Sequence, residues 1–555
     1  MSDVSSFGPW PADTGISDRW TVYTRGNVGE VYPDVVSPLE WDLGGLASEN
    51  GWRRGAEAIG FLRPGDYGSG DFVLVGVCGG YAYFNAALMR LLGVRTPGLS
   101  AQVIDQQFLG EADIDAYVPR KGDRNLAATA RTVQTALKTL TAKRVPLVDE
   151  MRRRADQVRN DAPPLDATDE ELWNGITERL DEDWEWFIAS HVQVTMQATI
   201  AAGSLTDLCE KHLGDPSLAV ALTTGIGDVV SAEPARVMWK LANETAPEDF
   251  DAAFAGFLKK YGHRGPNEFS MMGRDWAAYP EVAMAAIDTM RELDPERSPE
   301  RQLVLMKQRR IDAMASAKAL LGRRAGQLDR AVRSTVVWSR AREASKDEVI
   351  RAAQSSRHRL LELIRRAHER GGEADPLGPM LLSAEEFPNY VADPASMSAV
   401  IAERLRHHRA LRELKPPYAF DAASYGGSFP AVAGWGARTT TGIATAAPGD
   451  VLTGAAGAPG VASGTARIIT DPGDPGTMSP GDILVAPLTD PAWTPLFVGA
   501  SAVVVEIGAA MSHSMIVSRE MGIPCVAGVE GATSRIAEGA VVEVDGQAGT
   551  VKILS

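Results

Sequence analysis

The chain has 555 residues, more than one hydrophobic core serves, so roughly two to four domains are expected. Its 56 basic and 72 acidic residues leave a net charge of −16, which argues against nucleic acid or an anionic membrane as the main partner, because both need a basic face. Cys78, Cys209 and Cys525 show no CxxC spacing, so neither a disulfide framework nor a zinc site is suggested. The first residues, MSDVSSFGPWPADTG, have no basic n-region or apolar h-region, and no apolar run is long enough to span a bilayer. A soluble, cytoplasmic protein is expected.

Residues 1–130 are mixed, with frequent Gly, Pro and aromatic residues and helical stretches such as Tyr83–Leu92. From 130 to 415 apolar residues recur at helical spacing, in segments such as Thr132–Thr141, Trp184–Ala201, Ala219–Ala242 and Asp347–His368. Asp161–Asp169 and Glu373–Pro379 read as breaks, punctuated by Pro and Gly. Residues 416–451 are rich in Gly, Ala, Ser, Thr and Pro without a sustained period, and are expected to form a flexible linker. Beyond it, short β-branched runs appear at Ala466–Thr470, Ile483–Ala486, Ala502–Val505, Val541–Val544 and Val551–Leu554, separated by the turn signals DPGDPG, SPGD and VDGQAG. The expected organisation is a largely α-helical domain over 1–415, α+β in its N-terminal part, then the linker, then a small α/β domain over 452–555.

The stretch Glu506–Gly528, EIGAAMSHSMIVSREMGIPCVAG, carries the clearest chemistry. A strand at Ala502–Val505 runs into a small-residue turn at Gly508, Ala509 and Ala510, and a helix follows from about Ser514 to Met521. Ser512 is a plausible N-cap, and Gly522 with Pro524 ends the helix. His513 therefore sits near a helix N-terminus, where free N–H groups and the helix dipole favour an anion. A phosphoryl group on imidazole is such an anion, and Arg519 is a candidate to pair with it. A lone histidine near a helix start is more often a structural hydrogen-bonder, so the flanking residues decide the reading.

Those residues resemble the signature of the PEP-utilising enzyme mobile domain, E-x-G-G-x-x-S-H-x-A-I-x-A-R-E-x-G-I-P-x-V. Proteins with this domain include pyruvate phosphate dikinase, PEP synthase, rifampicin phosphotransferase and phenylphosphate synthase. The similarity extends through Gly460–Gly464, Gly481–Phe497 (GDILVAPLTDPAWTPLF), Val544–Gly546 and Gly549, and so covers nearly all of 452–555. Ala509 stands where a second Gly is usual, and Met515 and Ser518 stand where Ala is usual. The resemblance implies a swivelling domain whose phosphate carrier is His513, with Ser512 and Arg519 beside it.

The region 20–415 resembles the acceptor-binding domain of rifampicin phosphotransferase and its relatives, through Thr24–Trp41 (TRGNVGEVYPDVVSPLEW), Tyr261–Glu268 (YGHRGPNE) and the REASK helix. Arg342 and Lys346 lie four apart and so share a helix face, where they either hold an incoming phosphoryl group or form a solvated basic surface. In YGHRGPNE a tight turn would present His263, Arg264 and Glu268, with His263 or Glu268 as a base for an acceptor hydroxyl, or else an Arg264–Glu268 pair would simply hold the turn. Arg25, Asn27 and Glu30 are further candidates for this site. His191 reads as a core or pocket-lining residue, and His407 and His408, among arginines, as solvent-facing.

No segment resembles an ATP-grasp domain, GDYGSGD (65–71) lacks the Lys-Ser/Thr of a Walker A sequence, and no PEP-binding barrel follows. The expectation is a split enzyme. A separate ATP-grasp subunit, like the N-terminal part of pyruvate phosphate dikinase, would hold ATP and Mg²⁺ and phosphorylate His513, releasing AMP and phosphate. The acceptor would be a small hydroxylated aromatic compound of the phenol or cresol kind, as for the two-component aryl phosphate synthases. The alternatives are a rifamycin-like acceptor, or a non-catalytic regulatory paralogue on the same scaffold.

Overall fold

The computed structural model describes residues 7–68, 70, 72–109, 112–227, 229–438, 445–472, 478–508 and 512–555. Near the N-terminus Val22–Thr24 (β1) pairs antiparallel with Tyr81–Asn85 (β3), which pairs with Val75–Cys78 (β2). Gly79 and Gly80 link β2 to β3 at φ 58° and 81°, the geometry of a two-residue hairpin turn. Tyr83–Leu92, expected as one helical stretch, is split: its aromatic start finishes β3, and Asn85 then caps a helix over Ala86–Arg95 by accepting from the Leu88 N–H. Helical spacing did not show that Tyr83 and Phe84 are more useful in a hairpin buried on both faces.

Leu414–Lys415 (β4) pairs with Gly436–Ala437 (β6), and Ala419–Asp421 (β5) joins β1, giving a first sheet of order β2-β3-β1-β5. Part of 416–451, read as a flexible linker, is thus built into the first domain. Phe420 is buried, Phe429 and Trp435 pack against the same core, and the Tyr83 hydroxyl donates to the Pro417 carbonyl at 2.8 Å. Three aromatic side chains supply the burial that the average Gly- and Ala-rich composition concealed. Residues 439–444 of this stretch lie outside the described residues.

The helical region is organised by Pro38–Ile59 (α2), which follows the short helix Val28–Val31 (α1), by Glu185–Leu213 (α3), and by the 45-residue helix Ala325–Glu369 (α4), about 68 Å long at 1.5 Å per residue. The expected helices Thr132–Thr141, Trp184–Ala201 and Asp347–His368 lie within longer helices, except for the single residue Trp184, which precedes α3. Ala219–Ala242 is interrupted. Leu218–Ala221 ends early, Gly225 and Gly227 turn the chain at positive φ, and the helix resumes over Glu233–Asn243. Asp228 lies outside the described residues. Among the described residues no helix is long and apolar enough to cross a membrane.

The C-terminal domain holds Val451–Thr453 (β7), Ala455–Ala458 (β8), Val461–Ile468 (β9), Ile483–Ala486 (β10), Ala502–Val505 (β11), Cys525–Ala527 (β12), Val541–Asp545 (β13) and Thr550–Ile553 (β14). They form one sheet of order β7-β14-β13-β9-β10-β11-β12-β8, parallel from β9 to β12 and antiparallel at both sides. Parallel strands covered on both faces read as unbroken apolar runs, here ILVA, AVVV and CVA. The Ala- and Gly-rich β8 gave no such signal. His513–Met521 (α5) connects β11 to β12.

Alternation along the strands divides the sheet. Ile483, Val485, Ala502 and Val504 face a core with Val542, Val544 and Val551. Leu484, Ala486, Val503 and Val505 face Phe497 and Met515, and that core continues into Trp239, Phe257, Trp276, Ile287 and Leu293 of the helical region. The two domains therefore share one apolar core in this position.

Close packing also sets the helical bundle. A Cβ on Gly55 of α2 would lie 2.7 Å from Val192 and 2.9 Å from the Ala189 carbonyl of α3. On an exposed helix Gly→Ala gains roughly 1 kcal/mol of propensity. Here Gly55→Ala should instead cost about 1–3 kcal/mol, because α2 and α3 must separate. Denaturant unfolding followed by far-UV circular dichroism measures this, and a variant more stable than wild type would contradict the tight crossing.

Candidate functional site

β10 and β11 are parallel, so both deliver the chain to the same edge of the sheet, the edge where α/β folds place ligands. Thr489 and Asp490 follow β10, and Ser512 and His513 follow β11. The imidazole of His513 is held at both nitrogens, with Thr489 Oγ1 3.2 Å from Nδ1 and Thr494 Oγ1 3.4 Å from Nε2. Phe497 meets the ring edge-on at 5.9 Å between centroids. Of the expected turn, Gly508 is described, whereas Ala509 and Ala510 lie outside the described residues.

Ser512 occupies the N-cap position with extended backbone, but its side chain makes no cap bond. Its hydroxyl is 2.9 Å from that of Ser514 instead. Arg519 directs its Nε to the Gly457 carbonyl of β8, and burial first, then the neighbouring cation Arg342, lowers its pKa to about 10. The cations that act on the imidazole are Lys346 and Arg264, both from the helical domain. Burial, with His513 only 7% exposed, and then these two cations hold the imidazole well below its ordinary pKa, so it is neutral. A neutral imidazole keeps the lone pair that a phosphoryl acceptor needs.

The facing wall comes from α1, from the turn after Tyr261 and from α4. Burial pushes the Glu30 carboxyl of α1 up to about 7, and Lys346, Arg342 and the backbone N–H of His513 restrain the rise. Lys346 Nζ is 3.0 Å from Glu268 Oε1, and Arg264 Nε is 2.8 Å from Glu268 Oε2. Arg264 also donates to Asp347 at 2.5 Å, and His263 Nε2 is 2.9 Å from the same carboxylate oxygen. Burial would raise Asp347, yet His263 and Arg264 hold it well below the usual carboxylate range. The turn is therefore pinned by a buried network, and the Arg264–Glu268 pair weighed from the sequence is present. His191 sits behind this wall, its Nδ1 2.9 Å from Ser345 Oγ.

The structure brings Glu30, Arg342, Lys346, Arg264, Glu268 and His263 to one region with His513. It places Arg25 differently. The Arg25 guanidinium is buried over the rings of Tyr81 and Tyr83 and donates to the Tyr32 and Pro33 carbonyls, which holds the β1–α1 turn. Asn27 is exposed at φ 75°, just before α1. His407 and His408 do not face solvent. Both are buried, and His407 stacks on Phe7 at 4.5 Å, because the helix carrying them packs against the N-terminal aromatic residues.

Two carboxylates that the sequence did not single out tie the domains together. Asp490 accepts from the Asn267 N–H at 2.7 Å, and Glu520 accepts from Ile226 and Gly227 at 3.3 and 3.1 Å. The glycine turn that interrupts Ala219–Ala242 supplies these last two donors. Burial first, then the nearby Glu268, pushes Asp490 up from 3.8 to about 7. Glu520 is raised by burial too. Thr489, Asp490 and Thr494 all lie in GDILVAPLTDPAWTPLF, so that motif held the signal although no role could be read from it.

Residues 478–549 match the family model of the PEP-utilising enzyme mobile domain, and residues 190–346 match that of the rifampicin phosphotransferase fourth domain. The chain is 32% identical to an uncharacterised protein of Mycobacterium tuberculosis over 58% of its own length and 33% of that protein. It is 28% identical to a rifampicin phosphotransferase of Streptomyces sviceus over 63% of the chain and 43% of that enzyme. A prodigiosin synthesizing transferase of Serratia marcescens is 24% identical over 98% of the chain and 64% of the transferase. The chain thus spans about a third of the first of these relatives and under half of the second. The two family models agree with the resemblance read from the histidine signature and from the REASK helix.

Asp490 and Glu30 both have carboxyls raised to about 7 where the domains meet. A raised carboxyl pKa means that the docked form binds more protons than the undocked form. The stabilisation is full below the ordinary value near 4 and is lost as pH rises through about 7. Docking should therefore weaken between pH 5 and 8, and less so in Asp490→Asn. Small-angle scattering across that range tests this, and a profile flat in pH would contradict it.

Proposed function

We propose that this chain, with its PEP-utilising mobile domain, is the phosphohistidine-carrying and acceptor-binding component of an ATP-dependent phosphotransferase. The observation that carries the reading is the buried His513 facing Lys346 and Arg264 of the helical domain, whose partner Glu268 adjoins the Asn267–Asp490 contact between the domains. A neutral, buried imidazole is a competent phosphoryl carrier. Cations fixed on the opposite wall stabilise the charge that develops on the phosphoryl oxygens during transfer. Thr489 and Thr494 orient the ring so that the carrying nitrogen meets the acceptor side in one geometry.

In the docked position His513 is enclosed, so charging requires the C-terminal domain to leave the helical domain. The phosphoryl source we propose is ATP on a partner subunit of the ATP-grasp kind, with Mg²⁺ held there and AMP and phosphate released. Among the described residues no group of three His, Cys, Asp or Glu side chains stands ready for a metal ion, and the roles assigned to this chain need none.

The acceptor we favour is the hydroxyl of a small aromatic compound such as phenol or 4-methylphenol. Phe497 beside the imidazole and Phe269 beneath Lys346 are in keeping with an aromatic guest. A rifamycin-like hydroxyl is the second reading, supported by the match of 190–346 to a rifampicin phosphotransferase domain.

Incubating the chain with an ATP-grasp partner, ATP and Mg²⁺ should place acid-labile phosphate on His513, detected by mass spectrometry, and His513→Ala should carry none. Discharge of that phosphate by phenols or by rifamycins then selects the acceptor. An unlabelled wild-type chain with every such partner would refute the carrier role.

A further inference from the structure

A phosphoryl group leaves an imidazole nitrogen in line with the attacking oxygen, so the orientation of the His513 ring matters as much as its nearness to the acceptor. Two hydroxyls hold that ring, Thr489 Oγ1 at 3.2 Å from Nδ1 and Thr494 Oγ1 at 3.4 Å from Nε2. Both come from one short stretch of chain, with Thr489 just before Asp490 and Thr494 at the start of the helix Thr494–Gly499. Between them lies a single tight turn, Pro491–Trp493. Asp490 holds that turn from its own end. Its Oδ1 accepts from the Ala492 N–H at 2.9 Å, and its carbonyl accepts from the Trp493 N–H at 2.9 Å.

The other carboxylate oxygen serves the helical domain, where Oδ2 accepts from the Asn267 N–H at 2.7 Å. Asn267 is shaped for this contact. Its backbone lies at φ 53°, a region that residues other than Gly seldom adopt, and its side chain is exposed while its N–H is given to Asp490. Its carbonyl is held as well, by the Ser270 N–H at 2.8 Å. The next residue, Glu268, joins Lys346 and Arg264 at 3.0 and 2.8 Å. The donor to Asp490 is therefore part of the same wall as the cations.

Torsion about the last side-chain bond of an aspartate is broad, so a carboxylate held at one oxygen can turn, whereas one held at both oxygens by donors from different elements is fixed. Undocked, Asp490 keeps only the contacts inside its own turn. We propose that Asp490 is a positioning residue: by accepting the Asn267 N–H on docking it fixes the turn between Thr489 and Thr494, and through their hydroxyls the orientation of the His513 ring. This rests on the phosphotransfer reading above. Docking then completes the geometry for transfer, and a carrier away from the helical domain has a ring less strictly held.

The other polar contacts between the domains lack this route. Glu520, at the opposite end of α5 from His513, accepts from Ile226 and Gly227, and Arg340 Nε holds the Gly227 carbonyl of that turn at 3.1 Å. Arg297 donates to the Gly499 carbonyl at 2.6 Å. Neither contact passes through the turn that joins Thr489 to Thr494, so Glu520 provides a comparison that docks without positioning.

Two measurements on the full-length chain separate positioning from docking alone, with small-angle scattering giving the docked fraction of each variant. In the first, the chain carries ¹⁵N-histidine, and the ring signals of His513 are assigned by their loss in His513→Ala. The wild type should show two unequal ring nitrogen shifts, those of one tautomer held in place. Asp490→Ala should move them toward a common average by more than its undocked fraction explains, whereas Glu520→Ala should move them only in proportion to its undocked fraction. In the second, the chain is phosphorylated with phosphoramidate, so that no ATP-grasp partner is needed, the label is located on His513 by mass spectrometry, and single-turnover discharge to phenol, 4-methylphenol and rifampicin is followed. Asp490→Ala should take the label, keep the acceptor concentration that gives half the limiting rate, and lower the limiting rate roughly 10- to 100-fold. Glu520→Ala should slow only as its docked fraction falls. Asp490→Asn, which keeps the shape and one acceptor oxygen, should show both changes to a smaller degree and decides the matter if Asp490→Ala does not fold. Ring signals and a limiting rate that stay at wild-type values in the Asp490 variants, or that change only as the docked fraction does, overturn the positioning role. A labelled wild type that discharges to no hydroxyl compound overturns the phosphotransfer reading, and the ring signals then decide the positioning role by themselves.

Discussion

The structure depends on an apolar contact that belongs to both domains. Leu484, Ala486, Val503 and Val505 form one face of the C-terminal sheet, and beyond Phe497 and Met515 that face continues into Trp239, Phe257, Trp276 and Leu293. Burial of this surface excludes water from the space around His513. Every charge placed there then acts at lower effective dielectric. Without the shared core, Lys346 and Arg264 would be screened from the imidazole, and the raised carboxyls of Glu30 and Asp490 would relax toward ordinary values.

Polar contacts add direction to an attraction that has none of its own. Asp490 and Glu520 each accept backbone N–H groups from turns of the helical domain, and Arg297 donates to the Gly499 carbonyl at 2.6 Å. Backbone donors fix orientation closely because they are held by the fold of their own turn. The cost is two carboxylates buried with partial compensation, which is why both sit above their normal range. A contact built this way is specific in geometry.

The site is therefore composite. The C-terminal domain brings His513 with its two threonines, and the helical domain brings Lys346 and Arg264. The buried network of His263, Arg264, Glu268 and Asp347 stands between α4 and the turn after Tyr261, holding Lys346 in position. Such a network is costly to break, because removing any one member leaves an uncompensated buried charge. It explains why a turn so rich in ionisable groups serves the site by support.

The sequence by itself determined the local features. Unbroken apolar runs gave β10 and β11, and Gly522 with Pro524 gave the end of α5. The spacing around His513 gave a histidine at a helix start, because strand, turn, cap and helix lie within one short stretch of chain. Helical periodicity gave the i,i+4 relation of Arg342 and Lys346. Tertiary structure alone decided the rest. Ala219–Ala242 has a helical pattern, yet its glycines turn so that two N–H groups can reach Glu520, nearly 300 residues away in the chain. His407 and His408 were buried by N-terminal aromatics that no local rule connects to them. Lys346 and Arg264 act on His513 only because two domains share a core. Periodicity and capping act over a few residues and are written locally, whereas burial, pKa and the facing of His513 by the cations of the helical domain depend on which distant surfaces come together.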